Sequence, residues 1–431
     1  MGRRLGVGQL LLSALGLAAA APAARPLELG ALLAEAQAAN PLILAARARL
    51  RAAERVPAQA AALPDPSAGV SYTNDTLTDL TLGDSIMSNV TVSWTQEMPY
   101  PGKRRLAGDV ARQETEVRSS DLEGTRLAVV AAVKKTYAEL YWLDRARAIV
   151  EDGRGLLESY YATARRRYES GEGILENILK AQTELTRLDV DLAGIAQERR
   201  SAGARLSSLL GLPTEAPFGP AVDPAVPAPI QGAALEQAAL ERSPQIRAFR
   251  AASRREEVRI ELAERNLKPD FTWSAAYVHR GEIDPMAMGM FGVRLPAWRK
   301  HKQLEAVAQA RHEAEAATHD LATAELQLVS EVRDLVARVE RSRLQMRLYG
   351  EGVLPQARSA LEAAAASYAV GQAEFVTLIA DFRTVLESER EYELRRVEEA
   401  TALAALEPLT GLTLLRPAEA LGQAGLEAHD E

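Results

Sequence analysis

Met286, Met288 and Met290 alternate with Ala287 and Gly289. Three thioethers at a spacing of two would stand on one side of a strand, a set that suits a soft, Cu(I)-like ion. The same residues also suit flexible apolar filler near the mouth of a barrel. The other constellations with chemical potential are thin. His312-Glu313-Ala314-Glu315-Ala316 opens like a zinc-protease helix but lacks the second histidine four residues on. His312 and His319 are one heptad apart, a spacing that also fits solvated positions on a coiled coil. Glu256-Glu257 falls on a charged helical stretch, where solvation explains it. There is no cysteine, so thiolate metal sites, disulfides and a catalytic thiol are excluded. No Gly-rich phosphate loop follows a strand, and no serine-centred elbow is found. The expectation is a protein with no enzyme activity, no cofactor and no resident metal.

The elements that carry these residues are used twice. Tyr168–Leu212 recurs without a gap as Tyr368–Leu412, with Gly171 on Gly371, Ile178 on Leu378, Glu198 on Glu398 and Gly211-Leu212 on Gly411-Leu412. Upstream, Ala31–Glu54 recurs as Ala234–Glu257, with Asn40-Pro41 matching Ser243-Pro244. The mature chain therefore reads as two internal repeats, 25–212 and 233–412. A Pro-rich linker at 213–232 joins them, and a loose tail occupies 413–431. At the N-terminus, Arg3-Arg4, the apolar Leu5–Leu17 and the small residues Ala18–Ala24 read as a signal peptide over 1–24. That apolar run is too short for the ~20 residues of a membrane-spanning helix. Aromatic residues are only 5% and charged residues 26% of the 431, a profile of long packed helices. The net charge of −8 gives no reason to expect nucleic-acid binding.

Within each repeat the periodicity changes in the same order. Helical spacing ends at Leu63-Pro64-Asp65-Pro66 and at Leu267-Lys268-Pro269-Asp270. Alternation follows: Val70 and Tyr72; Val90, Val92 and Trp94; Phe271, Trp273, Ala275 and Tyr277; Phe291, Val293 and Leu295. These predict four strands of roughly ten residues, each with one apolar face, the length of a tilted transmembrane strand. Pro99-Tyr100-Pro101-Gly102-Lys103-Arg104-Arg105 and Pro296-Ala297-Trp298-Arg299-Lys300-His301-Lys302 close the second strand of each half. Tyr100, Lys103, Trp298 and Lys300 there suit a membrane–water interface. From Lys103 to about Tyr168 the pattern predicts a rod of roughly 100 Å, loosened at most at Gly153 and Gly155. Val130, Val133, Tyr137 and Leu140 are spaced 3-4-3, as are Val329, Val332, Val336 and Val339, and Leu185, Leu188, Leu192 and Ile195 on the returning helix. Such spacing predicts coiled-coil seams.

Four strands cannot close on themselves, and open edges are not tolerated in lipid. Three chains giving four strands each would make a shared twelve-stranded barrel with cyclic symmetry. A small soluble sheet capping a helical scaffold, without a pore, is the reading from another class. It would leave Val90, Val92, Trp94, Phe291, Val293 and Leu295 without an apolar partner.

The duplicated layout, the breaks at 40–41 and 243–244, the Pro-Tyr-Pro-Gly-Lys-Arg exit at 99–104 and the turns at 168–171 and 368–371 together resemble the TolC-type outer-membrane factor family. The resemblance covers roughly 29–412. It implies a mainly α-helical homotrimer with a periplasmic α-barrel and a twelve-stranded outer-membrane β-barrel. It also implies a periplasmic adaptor, an inner-membrane transporter and outer-membrane lipid as partners. By position it makes Ser170, Gly171, Glu172, Val370, Gly371 and Gln372 an adaptor-docking tip. It makes Asn177, Lys180, Thr377, Ala380 and Asp381 the pore constriction. Some members carry paired aspartates where Thr377 and Ala380 stand, and many are lipoproteins, which a chain without cysteine is not. The implied function is the exit duct of a tripartite efflux system. The look of the strand exit and the Met-bearing strand leans toward heavy-metal cations as cargo, with multidrug export or type I secretion as the alternatives.

Overall fold

The computed structural model describes residues 25–75, 80–82, 85, 87–212, 216–223 and 231–415. The expected signal peptide and most of the expected tail lie outside the described residues. The first half opens with strand β1 (Arg25–Leu27) and helices α1 (Leu29–Ala39), α2 (Pro41–Ala53) and α3 (Val56–Ala60). Strands β2 (Ser67–Thr73) and β3 (Asn89–Met98) follow, then helices α4 (Lys103–Glu169) and α5 (Leu175–Leu210). Strand β4 (Phe218–Ala221) lies between the halves. The second half has α6 (Gly232–Arg242), α7 (Pro244–Arg265), β5 (Asp270–Arg280), β6 (Ile283–Arg294) and α8 (Gln303–Leu348). A π-helical turn at Tyr349–Val353 leads into α9 (Leu354–Ala369), and α10 (Phe375–Thr410) ends the fold. The chain is mainly helical.

The break between α1 and α2 follows from Asn40-Pro41. Asn40 leaves helical geometry, its side chain accepts the Leu42 N–H at 2.9 Å, and Pro41 occupies a first-turn position that needs no donor. The same Asn40 amide donates to the Leu209 carbonyl at 2.7 Å and so ties the break to the end of α5. Gly211 and Gly411 end α5 and α10, each 36 residues long, in left-handed backbone.

Helix α4 runs 67 residues unbroken, about 100 Å at 1.5 Å per residue. Gly153 does not loosen it. A Cβ at that position would lie 2.8 Å from Leu386 Cδ1, so the glycine lets α10 approach α4 closely. The second rod, in contrast, is interrupted. Pro355 lacks the N–H that would continue the ladder, and the backbone widens into the π-helical turn just before it.

The seams depart from the expected spacing in one respect. Val129, Val133, Tyr137 and Leu140 are among the buried residues of α4, and Leu328, Val332, Val336 and Val339 among those of α8. Val129 and Leu328 bury where Val130 and Val329 were expected. Farther along α4, Leu143, Val150, Leu157 and Ala164 are buried at heptad intervals. On α5, Ala181, Leu188, Ile195 and Ala202 are buried at strict heptad intervals, with Leu185 and Leu192 packed beside them.

The linker between the halves is partly built into the fold. β4 pairs in parallel with β1, Phe218 is buried, and Arg199 on α5 grips both Asp144 on α4 and the Gly219 carbonyl at 2.7 Å. The chain is also anchored beyond α10. The buried Lys134 ammonium donates to Glu407 at 2.7 Å and to the Leu415 carbonyl at 2.6 Å, while Glu407 accepts the Leu414 and Leu415 N–H groups. Leu414 and Leu415 are thus packed rather than loose.

Candidate functional site

The four long strands form one antiparallel sheet in the order β2-β3-β5-β6. Its register sorts the side chains cleanly. Val70 pairs with Val92, Val92 with Tyr277, Trp273 with Phe291 and Phe271 with Val293, so the apolar residues share one face. Gly69, Ser93 and Ala276 align on the other, beside Thr95 and Ser274, whose hydroxyls are 2.8 Å apart. The apolar face has no partner among the described residues: Val70, Trp94, Trp273, Tyr277, Phe291 and Val293 are all exposed. Trp94 meets Trp273 edge-on at 5.5 Å, and Phe271 stacks between Tyr100 and Phe291. These aromatics gather toward the end of the sheet where the helices begin, as in the girdle of a transmembrane barrel. Among the described residues, β2 and β6 are the outer strands, each with one edge unpaired. Among the described residues no single helix is long and apolar enough to cross a membrane.

At the helix end of the sheet, the expected interface residues divide. Trp298 and Lys300 are exposed on the turn after β6. Tyr100 is half-buried, and its N–H is held by Asp270 at 2.8 Å. Lys103 points inward instead, which corrects its reading as a head-group anchor. Its ammonium donates to Asp270 at 2.7 Å and to the Lys268 carbonyl at 2.9 Å, fixing the start of α4 to the start of β5.

The opposite end of the molecule holds two helical hairpins, α4–α5 and α9–α10. Their turns are built alike. Gly171 and Gly371 have φ of 78° and 79°, and each turn folds its N–H groups back on the last helical carbonyls. Ser170, Gly171, Glu172, Val370, Gly371 and Gln372 are exposed at these turns. Arg167 joins the two: its guanidinium donates to the Tyr368 carbonyl and lies 5.2 Å from the Tyr368 ring centroid. The likeness of the hairpins stops at their packing. Tyr368 is 4% exposed and packs on Phe375, while its counterpart Tyr168 is 45% exposed.

Just inside the turns, Lys180, Thr377 and Ala380 are exposed, and Asn177 and Asp381 half-buried. Lys180 pairs with Glu176 at 2.6 Å on its own helix. Below them the two returning helices are joined by ion pairs that the sequence reading missed. Glu184 on α5 is nearly buried and accepts Arg383 Nε of α10 at 2.8 Å, a second bond from the same guanidinium, and Arg187 at 3.2 Å. One heptad on, Asp191 meets Arg390 at 3.2 Å in a more exposed pair. Hydrogen bonding from Arg383 holds the Glu184 carboxyl below the usual carboxylate range. A signal for this clamp was present: Glu184 interrupts the apolar stripe between Ala181 and Leu188. The histidines weighed for metal binding, His312 and His319, are exposed on α8.

The outer membrane efflux protein family profile matches residues 32–212 and 235–412. Among solved structures, the chain is similar to the outer membrane protein VceC of Vibrio cholerae. The two are 19% identical with a TM-score of 0.76, over 89% of this chain and 96% of that one. It is also similar to the outer-membrane channel OprN, at 18% identity and TM-score 0.78, over 89% of both chains. A third similar structure is the open state of the Neisseria gonorrhoeae MtrE outer membrane channel, at 17% identity and TM-score 0.74, over 90% of this chain and 89% of that one. No curated protein sequence matches the chain.

Proposed function

Because this chain belongs to the outer membrane efflux protein family, we propose that it is the outer-membrane exit duct of a tripartite efflux system. The observation that carries this reading is the sheet: four strands, two free edges, and one exposed aromatic and aliphatic face. Bare edges and a face of that kind are costly in water, and unpaired edges more so in lipid. Both costs vanish if β6 of each copy pairs with β2 of the next and the apolar face turns outward. Three copies then close a twelve-stranded barrel with its hydroxyl-bearing face on the lumen. The long helices of three chains continue this wall into the periplasm. Trp298, Lys300 and Tyr100 lie near the inner head groups, and the Gly171 and Gly371 turns form the tip that meets a periplasmic adaptor. The duct is passive: an inner-membrane pump supplies the work, and the tip opens when α5 and α10 shift apart near Asn177, Lys180, Thr377, Ala380 and Asp381. The structures it resembles are named as outer-membrane proteins or channels, which agrees with this placement.

Membrane fractionation and the particle mass in detergent test the assembly. A trimer recovered from the outer membrane is expected. A soluble monomer would overturn the duct and favour a poreless scaffold.

A further inference from the structure

Three of the chain's seven methionines fall within five residues of β6. Met286, Met288 and Met290 pair across to Val278, Ala276 and Ser274, which places all three on the hydroxyl-bearing face, opposite Phe291 and Val293. They are 41%, 48% and 65% exposed. An apolar side chain in that position orders water and buries little. Methionine earns its place in most folds by filling irregular gaps. Here the floor beside Met288 and Met290 is made of small residues, Ala276 and Ser274 on β5, while Met286 lies across from Val278, which is buried. In the ring proposed above, the next copy's β2 would add Ser67, Gly69 and Ser71 on the same face. The thioethers of Met288 and Met290 are left standing clear, and Met286 is the least exposed of the three.

Same-face residues are about 6.6–6.8 Å apart along a strand. Two unbranched methionine side chains can lean across that gap and bring their sulfurs onto one ion. Thioethers are neutral, soft donors that select Cu(I)-like ions over hard cations, which prefer oxygen ligands. We propose that the Met286–Met288–Met290 ladder is a binding site for soft monovalent cations, Cu(I) or Ag(I), on the lumenal face of the duct. Binding exchanges coordinated water for thioether sulfur, with no change of oxidation state. Its position in a lumen rests on the duct reading. Neutral donors repeated along a strand and around a trimer give several weak sites in series, which suits transit better than storage.

The test uses the full-length protein purified in detergent, titrated with Ag(I) and, under reducing conditions, with Cu(I) against a chromophoric chelator. Met286→Leu/Met288→Leu/Met290→Leu keeps volume and apolarity while removing sulfur. Met98→Leu, on the opposite face of the same sheet, is the control. The triple variant is expected to lose roughly 10–100-fold or more in Ag(I) affinity, the scale seen when a metal site loses a supporting group, with Met98→Leu unchanged. Equal Ag(I) affinity in the triple variant and the wild type, or no binding by the wild type, would overturn the site. Particle mass and bilayer conductance of the same preparations separate the two readings. A conducting trimer that ignores Ag(I) sinks the site alone, whereas a non-conducting monomer sinks the duct and with it the lumenal position.

Discussion

In the duct proposed above, Arg383→Met should loosen the tip. Glu184 is nearly buried between α5 and α10, and Arg383 gives it two of its three charge-assisted bonds. Hydrogen bonds to charged groups contribute roughly 1.5–3 kcal/mol. Arg383 itself is partly exposed, so the lower part of that range, about 1.5–2 kcal/mol per clamp, is the better estimate. A cost of that size shifts a closed-to-open equilibrium by roughly 10–30-fold per chain, since about 1.4 kcal/mol is tenfold. Arg390→Met, which removes only the half-exposed partner of Asp191, should change the equilibrium by less than about fivefold, in keeping with the 0–1 kcal/mol of a surface pair. The assay is open probability in planar bilayers, with trimer mass confirming that both variants assemble. Because the chain has no cysteine, a disulfide engineered between copies near Asp381 should return Arg383→Met to the closed state. The pH dependence follows from the Glu184 carboxyl being held low. A depressed folded value means that the clamp's contribution is complete above the ordinary carboxylate value. It is lost only as pH falls through the lowered one, so open probability should stay flat from pH 7 to about 5 and rise below that. An Arg383→Met channel that gates like Arg390→Met would refute the clamp.

Lys134→Met should strand the buried Glu407 carboxylate and free the Leu414–Leu415 segment, costing roughly 3–5 kcal/mol, while Lys134→Met/Glu407→Leu should recover most of it; C-terminal protease sensitivity and thermal unfolding report both. Gly371→Ala should disturb the tip more than Gly171→Ala. Both force a side chain into left-handed backbone at about 1–2 kcal/mol, but only at 371 would the new Cβ lie 2.8 Å from the Arg167 guanidinium that holds Tyr368. Hydrogen exchange at the two turns measures the difference.

Much of this protein is written locally. Asn40-Pro41 dictates a helix break because proline's missing N–H and asparagine's capping oxygen act within four residues. The four strands are legible because alternation at period two is a property of neighbouring side chains. The doubled hairpin is legible because a repeat compares the chain with itself. The placement of Met286, Met288 and Met290 opposite Phe291 and Val293 is also fixed by alternation, and tertiary structure added only what lies beside them. Other features depend on what arrives from far along the chain. Lys103 reads as a free basic residue until Asp270 is placed 2.7 Å away. Val129 and Val130 are equally apolar, and only the approach of neighbouring helices selected the first. Tyr168 and Tyr368 stand at matched positions, yet one is exposed and one buried, because each meets a different neighbour. The Glu184–Arg383 clamp spans 199 residues of sequence, and no local pattern pairs those two charges. The sequence by itself determined the four long strands, the breaks at 40–41 and 243–244, the order of the long elements and the two faces of each long strand, since those rest on short-range sterics and periodicity. It did not determine the β1–β4 pairing or the π-helical turn. Which charges meet, which seam residue turns inward and which tyrosine is covered were decided by tertiary structure, because burial and ion pairing depend on distances that exist only after the rods have packed.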